Sequence, residues 1–256
     1  MENAYSLVPK QLAQALINKV SLIENKATAD RLFKSALASR NCTIISFINA
    51  HAFNICYRND QFAEALLKSD WLLRDGKGIE ILYKSIGRKP GVNMCGTDTI
   101  PQLLTLAKGK RIALVGTEEP YLQQATDFLT QKGHNVILTV HGFHSIQNYL
   151  PIIKQAKPDV VILGMGMPKQ EQLSIYLKER LDYPCVIVNG GAIIDYWGNK
   201  VVRAPNWVRQ IGGEWAFRLL LEPRRLFTRY VIGNFVFLRR VRQIRGQEFA
   251  ALRNSA

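Results

Sequence analysis

Short apolar runs rich in β-branched residues alternate with longer amphipathic stretches along most of the chain. We predict five strands from these runs: Thr43–Ile48, Arg111–Gly116, Asn135–Val140, Asp159–Gly164 and Cys185–Asn189. Strands that are apolar on both faces are typical of parallel sheets covered by helices on both sides. The amphipathic stretches between them fit the helices of right-handed crossover connections. The pattern therefore predicts an α/β fold with a Rossmann-like, doubly wound parallel sheet.

Helical patterns precede and interrupt this series of strands. Residues 1–40 predict two amphipathic helices, and their apolar positions recur at near-helical spacing. These positions are Leu12, Leu16, Val20 and Ile23. Farther along, Gly96-Thr97-Asp98 offers an N-cap for a helix over Thr99–Ala107.

The chain changes character after Pro205, where arginine and aromatic residues dominate helical segments that Pro223 interrupts. Proline is tolerated in the first turn of a helix, so Pro223 predicts the start of a new helix. We therefore predict a core over residues 1–199, with a nucleotide-binding half at about 110–199, and a basic appendage over residues 200–256.

Charge is concentrated in this appendage. The 256-residue chain has a formal net charge of +14, and residues 200–256 hold Lys200 and eleven arginines against three glutamates. Such a block attracts nucleic acid, anionic lipid or a phosphorylated substrate, and charge alone does not choose among them. Its longest charge-free apolar run, Tyr230–Leu238, is much shorter than the roughly 20 residues that span a bilayer.

Cysteine spacing and the beginning of the chain suggest a cytoplasmic protein. The four cysteines form no CxxC pair, which indicates neither a zinc site nor a disulfide framework. Polar residues and Lys10 interrupt the first nineteen residues where an export signal needs an apolar stretch. We expect reduced thiols and no export signal.

Two glycine loops follow predicted strands and are candidates for nucleotide binding. In the first, Gly164 and Gly166 precede a helix that begins near Pro168 and Lys169. Glycines admit close approach of the backbone, and the free amides of a helix N-terminus favour phosphate. A tight turn without a ligand is an equally good interpretation of this loop alone.

The second loop contains Gly190 and Gly191 and lies next to the first at the carboxyl edge of the predicted sheet. Asp195 can accept a hydrogen bond from a base or a ribose hydroxyl, but a place on a helix surface is equally consistent with the sequence. The GxGxxG fingerprint is absent from the first strand, which disfavours a nicotinamide dehydrogenase.

Asp75 follows a short strand that begins at Trp71, and it immediately precedes a helix. A carboxylate at a strand end is a candidate general base, because an acceptor hydroxyl can reach it there. An N-cap role for Asp75 is the alternative. Asn49, just after the first predicted strand, is a candidate for orienting a sugar hydroxyl, with a turn residue as its alternative.

No metal site is indicated. The four histidines have no carboxylate or cysteine at ligand spacing, and the chain has no Asp-x-Asp pair. The charge of a leaving diphosphate would then be offset by helix amides, lysine and arginine.

The appendage supplies candidate arginines. Arg218, Arg225 and Arg229 share one helical face if the helix continues through Pro223. The aromatic residues among them suit an interfacial membrane surface, with further arginines facing anionic lipid at positions 239, 240, 242 and 245. Packing on the core is the alternative for about half of the aromatics Trp215, Phe217, Phe227, Phe235 and Phe237.

Taken together, these segments resemble the WecG/TagA/CpsF glycosyltransferases, family 26 of the glycosyltransferase classification. The resemblance extends from about Thr43 to Leu238 and rests on motifs in a fixed order. These are Ile48–His51, Asp75–Gly78, Gly96–Asp98, Gly142-Phe143, Gly164–Glu171, Lys200–Pro205, Gly213–Trp215, Arg218 and Glu222–Arg225.

The resemblance implies an inverting, metal-independent transferase without a cofactor. It implies a UDP-sugar donor, a polyprenyl-diphosphate-linked acceptor and a peripheral place on the inner face of the bacterial plasma membrane. The catalytic base falls on Asp75 and a supporting asparagine on Asn49, and the donor segments include Phe143, Gln170 and Glu171. The acceptor and membrane arginines fall on Arg218, Arg224 and Arg225, to which we add Arg229.

Two positions depart from the family pattern. Phe47 replaces a common threonine, and Asn93 replaces a common arginine. Because a lost arginine weakens binding of an anionic sugar, we expect a neutral hexose or an N-acetylhexosamine as the transferred group. A homo-oligomer is compatible with the sequence.

Two other classes of function remain as alternatives. A regulatory module that binds a nucleotide without catalysis would keep the glycine loops but would not need Asp75. A nucleic-acid-binding protein would account for the basic charge, yet it needs stacking aromatics on a sheet face. The aromatics here cluster in the appendage, so we expect no nucleic-acid partner.

Overall fold

The computed structural model of the protein describes residues 9–210 and 212–254, in which seven parallel strands form one sheet. The order across the sheet is β1-β3-β2-β7-β6-β4-β5. The strands are β1 Val20–Ser21, β2 Thr43–Ile48, β3 Trp71–Arg74, β4 Arg111–Gly116, β5 Asn135–Val140, β6 Val160–Gly164 and β7 Val186–Asn189. The predicted doubly wound α/β fold is confirmed.

Helices cover both faces of the sheet. In chain order they are α1 Pro9–Lys19, α2 Lys26–Ala38, α3 Ala50–Cys56, α4 Asp60–Lys68, α5 Gly76–Ser85, α6 Gly96–Leu106, α7 Tyr121–Gln131, α8 Ile146–Ala156, α9 Lys169–Lys178, α10 Ile193–Trp197, α11 Asn206–Gln210, α12 Glu214–Leu221, α13 Pro223–Phe227 and α14 Gly233–Asn254. A π-helical turn, Thr228–Ile232, joins α13 to α14. Helices α2, α6, α7 and α10 pack on one face, and α1, α3, α4, α5, α8, α9 and α14 pack on the other.

All five predicted strands are present, and two of them begin one residue later than predicted. Every residue of β2, β6 and β7 is buried, as the apolar runs indicated. Strand β5 instead alternates between covered and exposed side chains, because it lies at the edge of the sheet. The helical assignments of Val20 and Ile23 are wrong: Val20 pairs with Leu72 of β3, and Ile23 lies in the loop before α2.

The predicted N-cap of α6 is also wrong. The helix begins at Gly96, with Cys95 at the N-cap position, so Asp98 lies inside its first turn. The Asp98 carboxylate pairs instead with Arg203 at 2.6 Å and with Arg209 at 3.1 Å. These ion pairs fasten the beginning of the appendage to α6.

A crevice forms where β2 pairs with β7. The chain leaves β2 toward α3 on one face and leaves β7 toward α10 on the opposite face. Neighbouring strands whose connections diverge in this way leave a crevice at their carboxyl ends, and open α/β sheets bind ligands there.

The C-terminal helix α14 packs against the core. The Phe237 side chain is 1% exposed and meets the Phe53 ring edge-on, with 5.6 Å between centroids. The Asn54 side-chain amide donates to the Gly233 carbonyl at 2.7 Å. The core alternative is therefore correct for Phe237, whereas Trp215, Phe227 and Phe235 are exposed. No helix in the described ranges has the length and apolar character needed to cross a bilayer.

We expect Phe237→Ala to lower the free energy of unfolding by about 3–5 kcal/mol, because it empties a filled site in the core. Phe235→Ala is the matched control on the same helix: its side chain is 72% exposed, so its effect should stay within about 0.5 kcal/mol. Urea unfolding of both variants measures the difference. Equal effects would contradict the packing of α14 on the core.

Candidate active site

A cavity of about 540 Å³ lies at the carboxyl edge of the sheet. Its floor comes from the ends of β2, β3 and β7, and α12, the π-helical turn and α14 supply part of its wall. Seven of the sequence-predicted residues line it: Asn49, Asp75, Gln170, Gly190, Gly191, Arg218 and Arg229. Residues that are far apart in sequence therefore meet in one cavity.

Asp75 occupies the N-cap position of α5, but its carboxylate makes no capping hydrogen bond. The Asn93 side-chain oxygen accepts from the Gly76 amide at 2.7 Å. The Asp75 carboxylate lines the cavity instead. The capping alternative for Asp75 is wrong in this structure.

Asn49 has two roles at once. It caps α3, since its Oδ1 accepts from the Ala52 amide at 3.0 Å. Its Nδ2 donates to Asp75 Oδ2 at 3.2 Å. The local cap thereby fixes the amide orientation that holds the Asp75 carboxylate.

Burial raises the pKa of Asp75. Hydrogen bonds from Asn49 and Cys95 and the charges of Arg229 and Arg74 act in the opposite direction. A carboxylate with a raised pKa is a stronger base once ionised, which suits proton abstraction from a hydroxyl. Burial and the charge of Arg229 lower the pKa of the nearby His51 to about 4, so this histidine is neutral near pH 7.

The Gly190-Gly191 turn and Gln170 line the side of the cavity formed by β7 and α9. A side chain at Gly190 would lie 2.6 Å from Ile193 and 3.3 Å from the Leu163 carbonyl, so the turn requires glycine there. The Gly191 amide donates to Gln170 Oε1 at 3.1 Å.

Other predicted donor residues do not line this cavity in the described part of the chain. Lys169 donates to the carbonyls of Gly142 and His144, each at 2.7 Å, and Asp195 accepts from the Thr117 hydroxyl at 2.6 Å. Five more of the predicted donor residues also lie outside the cavity lining: Gly164, Gly166, Pro168, Glu171 and Phe143. A Cβ at Gly164 would lie 2.8 Å from Ile194, so close packing of α10 accounts for that glycine.

The appendage does not form the continuous helix that would place three arginines on one face. Glu222 has φ −132° and ψ 61°, which ends α12, and Pro223 starts α13. Arg218 and Arg229 still reach the cavity, whereas Arg225 pairs with Glu222 at 2.7 Å and Arg224 is exposed. Arg218 lies over the Tyr196 ring, 5.9 Å from its centroid, and Arg229 lies 5.4 Å from the Tyr230 centroid.

Arg240 was predicted to face anionic lipid, but the structure places it against α3 and Tyr57. Its guanidinium lies over the Tyr57 ring, 4.0 Å from the centroid, and donates to the Asn54 side chain. This arginine therefore helps to fasten α14 to α3.

Sequence reasoning missed two further carboxylates that line the cavity, Glu80 and Glu214. Glu80 is paired with Arg74, Lys77 and Lys84. Glu214 forms no such ion pair in the described part of the chain.

Glu214 is half-buried and accepts from the Tyr196 hydroxyl at 3.4 Å. Burial raises its pKa, the charge of Arg203 opposes this, and the charge of Asp75 adds to it. The segment Gly213-Glu214-Trp215 contributed to the family resemblance. No sequence pattern around Glu214 indicated that it lines the same cavity as Asp75.

A doubly wound parallel sheet with a cavity of mixed polar and apolar lining at its carboxyl edge defines the class of α/β proteins that bind nucleotides and related ligands at that edge. Residues 14–249 match the sequence model of the Glycosyl transferase WecG/TagA/CpsF family. The chain belongs to this family and is a glycosyltransferase.

Two similar proteins are N-acetylglucosaminyldiphosphoundecaprenol N-acetyl-β-D-mannosaminyltransferases. The protein of Bacillus subtilis (strain 168) is 25% identical over 216 residues, which cover 82% of this chain and 84% of the relative. The protein of Staphylococcus aureus (strain NCTC 8325 / PS 47) is 23% identical over 193 residues, which cover 73% and 76%.

We expect Asn49→Ala to raise the pKa of Asp75 further, because it removes a hydrogen bond that favours the charged carboxylate. Asn59→Ala is the control: Asn59 caps α4 by accepting from the Phe62 amide at 2.9 Å. Both variants should lose about 1 kcal/mol of stability through the lost cap, but only the first should move the Asp75 titration. Carboxyl ¹³C NMR of labelled aspartate measures it, and an unmoved Asp75 would refute the assigned role of Asn49.

Proposed function

We propose that this glycosyltransferase moves a sugar from a UDP-sugar onto a polyprenyl-diphosphate-linked saccharide in bacterial envelope or exopolysaccharide synthesis. The observation that carries the proposal is the position of the Asp75 carboxylate in the cavity. It accepts a hydrogen bond from Asn49 and does not cap α5. The names of the two relatives, which specify an undecaprenyl-diphosphate acceptor, support the acceptor class.

In this mechanism the donor lies along the Gly190-Gly191 turn and Gln170, with its anomeric carbon toward Asp75. Asp75 takes the proton of the acceptor hydroxyl while that oxygen forms a bond to the anomeric carbon. The bond between the anomeric carbon and the diphosphate oxygen breaks on the opposite face, and UDP leaves with the electron pair. The product has inverted configuration.

Arg218 and Arg229 are the proposed partners of diphosphate groups. Neither forms an ion pair with a carboxylate within 4.0 Å in the described residues, and the Nε atom of each is buried without a hydrogen-bond partner. Guanidinium groups bind phosphate oxygens in a two-pronged geometry, and their charge can replace that of a metal ion. We therefore propose transfer without a metal, a point that activity in the presence of a chelator tests.

For the transferred sugar we propose an N-acetylhexosamine, with a neutral hexose as the second choice. The Asn93 side-chain oxygen accepts from the Gly76 amide at 2.7 Å. This neutral side chain provides no positive charge for the carboxylate of a uronic acid. The relatives' names specify an N-acetyl-β-D-mannosaminyl group, which is a neutral sugar of this class. Robust transfer from a UDP-uronic acid, with poor use of neutral donors, would overturn this choice.

The appendage is the proposed membrane-docking element on the inner face of the plasma membrane. Its apolar surface consists of side chains that are each at least 42% exposed: Leu220, Leu221, Phe227, Val231, Ile232, Phe235 and Leu238. Arg224, Arg239 and Arg242 are exposed on the same segment. Apolar side chains that enter the interface and arginines that meet anionic headgroups together favour a lipid surface.

We expect Asp75→Asn to lower acceptor-dependent UDP release by roughly 10²–10⁴-fold, the usual contribution of a general base. Asp60→Asn, an exposed substitution in the first turn of α4, is the control and should leave the rate unchanged. The assay compares a panel of UDP-sugars with and without polyprenyl-diphosphate-linked saccharides. Full activity of Asp75→Asn would exclude Asp75 as the general base. No UDP release with any pair of donor and acceptor would favour a non-catalytic module.

Substituting two residues of the apolar surface should weaken membrane binding. We expect the double variant Leu220→Glu, Phe235→Glu to bind vesicles of phosphatidylglycerol and phosphatidylethanolamine at least about tenfold less tightly, since each side chain contributes about 1.5–3 kcal/mol when buried. Leu22→Glu, at a 45% exposed position on the core, is the control. Vesicle sedimentation measures binding, and equal binding of both variants would contradict docking through the appendage.

A further inference from the structure

Glu171 is a buried carboxyl group beneath the cavity. Its side chain is 1% exposed, and no charged group among the described residues stabilises its ionised form. Its Oε1 accepts from Gln170 Nε2 at 2.8 Å, whereas its Oε2 has no hydrogen-bond partner there. Burial raises the pKa of Glu171 to about 7. Burying a carboxyl group without a cationic partner costs free energy, which indicates a role for Glu171 beyond packing.

Gln170 connects Glu171 to the cavity. It is 1% exposed and lines the cavity wall, and its Oε1 accepts from the Gly191 amide at 3.1 Å. Its Nε2 has two protons, one of which goes to Glu171. Turning the amide over would break both hydrogen bonds, so Glu171 and Gly191 together fix its orientation.

A second set of hydrogen bonds holds the beginning of α9 from below. Asn189 Nδ2 donates to the hydroxyls of Ser46 at 2.8 Å and Ser174 at 3.1 Å, and Ser174 donates to the Glu171 carbonyl at 2.8 Å. Ser46 and Ser69 share a hydrogen bond of 2.7 Å. These contacts join β2, β7 and α9, so the backbone that carries Gln170 and Glu171 has little freedom to shift.

We propose that Glu171 is a positioning residue for the donor: it holds the Gln170 amide so that Oε1 supports the Gly191 amide and the second N–H of Nε2 is available to a donor oxygen. That oxygen belongs to the diphosphate, which UDP retains in the absence of the sugar. The inference rests on the proposed function, because it takes the Gln170 side of the cavity as the donor side.

Four variants test this role. Glu171→Gln keeps the size of the side chain and an oxygen that accepts from Gln170, so its donor KM should stay within about twofold of the wild type. Glu171→Leu removes the acceptor, and Glu171→Asp withdraws it by one methylene group. Both should raise the donor KM about tenfold, the usual effect of one lost hydrogen bond, with kcat within about threefold. Gln170→Ala should have the same effect, and combining it with Glu171→Leu should add little.

The matched control is Leu173→Ala, because Leu173 is fully buried on the same helix and packs in the core. It should lower the melting temperature but leave the donor KM unchanged. Calorimetric titration with UDP supplies a second measurement that needs no turnover, and Glu171→Leu and Glu171→Asp should weaken binding about tenfold.

An unchanged donor KM and UDP affinity in both Glu171→Leu and Glu171→Asp would overturn the inference. So would a Glu171→Gln variant that is as impaired as Glu171→Leu. If the wild type binds UDP but releases none with any acceptor, the proposed function fails and the UDP affinities of the variants still decide the role of Glu171. If the wild type binds no UDP, both proposals fail.

Discussion

The pairing of β2 with β7 is the constraint on which the rest of the site depends. Thr43, Ile44 and Ile45 pair in parallel register with Val186, Ile187 and Val188, which joins the first three strands to the last four. Since all the strands run in the same direction, every loop that follows a strand opens at the same edge. Asn49, Asp75 and the Gly190-Gly191 turn meet there because this one pairing brings the two groups of strands together.

The hydrogen bonds around Asp75 leave its carboxylate available for chemistry. Asn49 and Asn93 satisfy backbone amides at the starts of α3 and α5, and the Asp75 carboxylate makes no capping hydrogen bond. A carboxylate that accepts backbone N–H groups is a weak base, because those hydrogen bonds favour its charged form. Asp75 has no such backbone donors among the described residues, and desolvation raises its pKa.

Sequence patterns predicted those features that depend on residues close together in the chain. Buried strands leave continuous apolar runs, and Gly190 precedes a helix start, so these features were predictable from their neighbours. Contacts across the chain were not. Packing against Phe53 buries Phe237, and a hydrogen bond to Asn54 holds Arg240 against α3. Glu214 lines the cavity in an appendage that Arg203 and Arg209 join to Asp98 of α6. No spacing rule encodes such distant pairings.

The appendage is attached to the core by two kinds of contact with different physical properties. At its beginning, Arg203 and Arg209 meet Asp98, whose side chain is 58% exposed. At its far end, Phe237 is enclosed by apolar side chains. Exposed ion pairs weaken as ionic strength rises, whereas enclosed apolar contacts do not. The segment that carries Glu214, Arg218 and Arg229 is thus held by a salt-sensitive contact at one end and by a salt-insensitive contact at the other, so rising ionic strength weakens its attachment near Arg203 first.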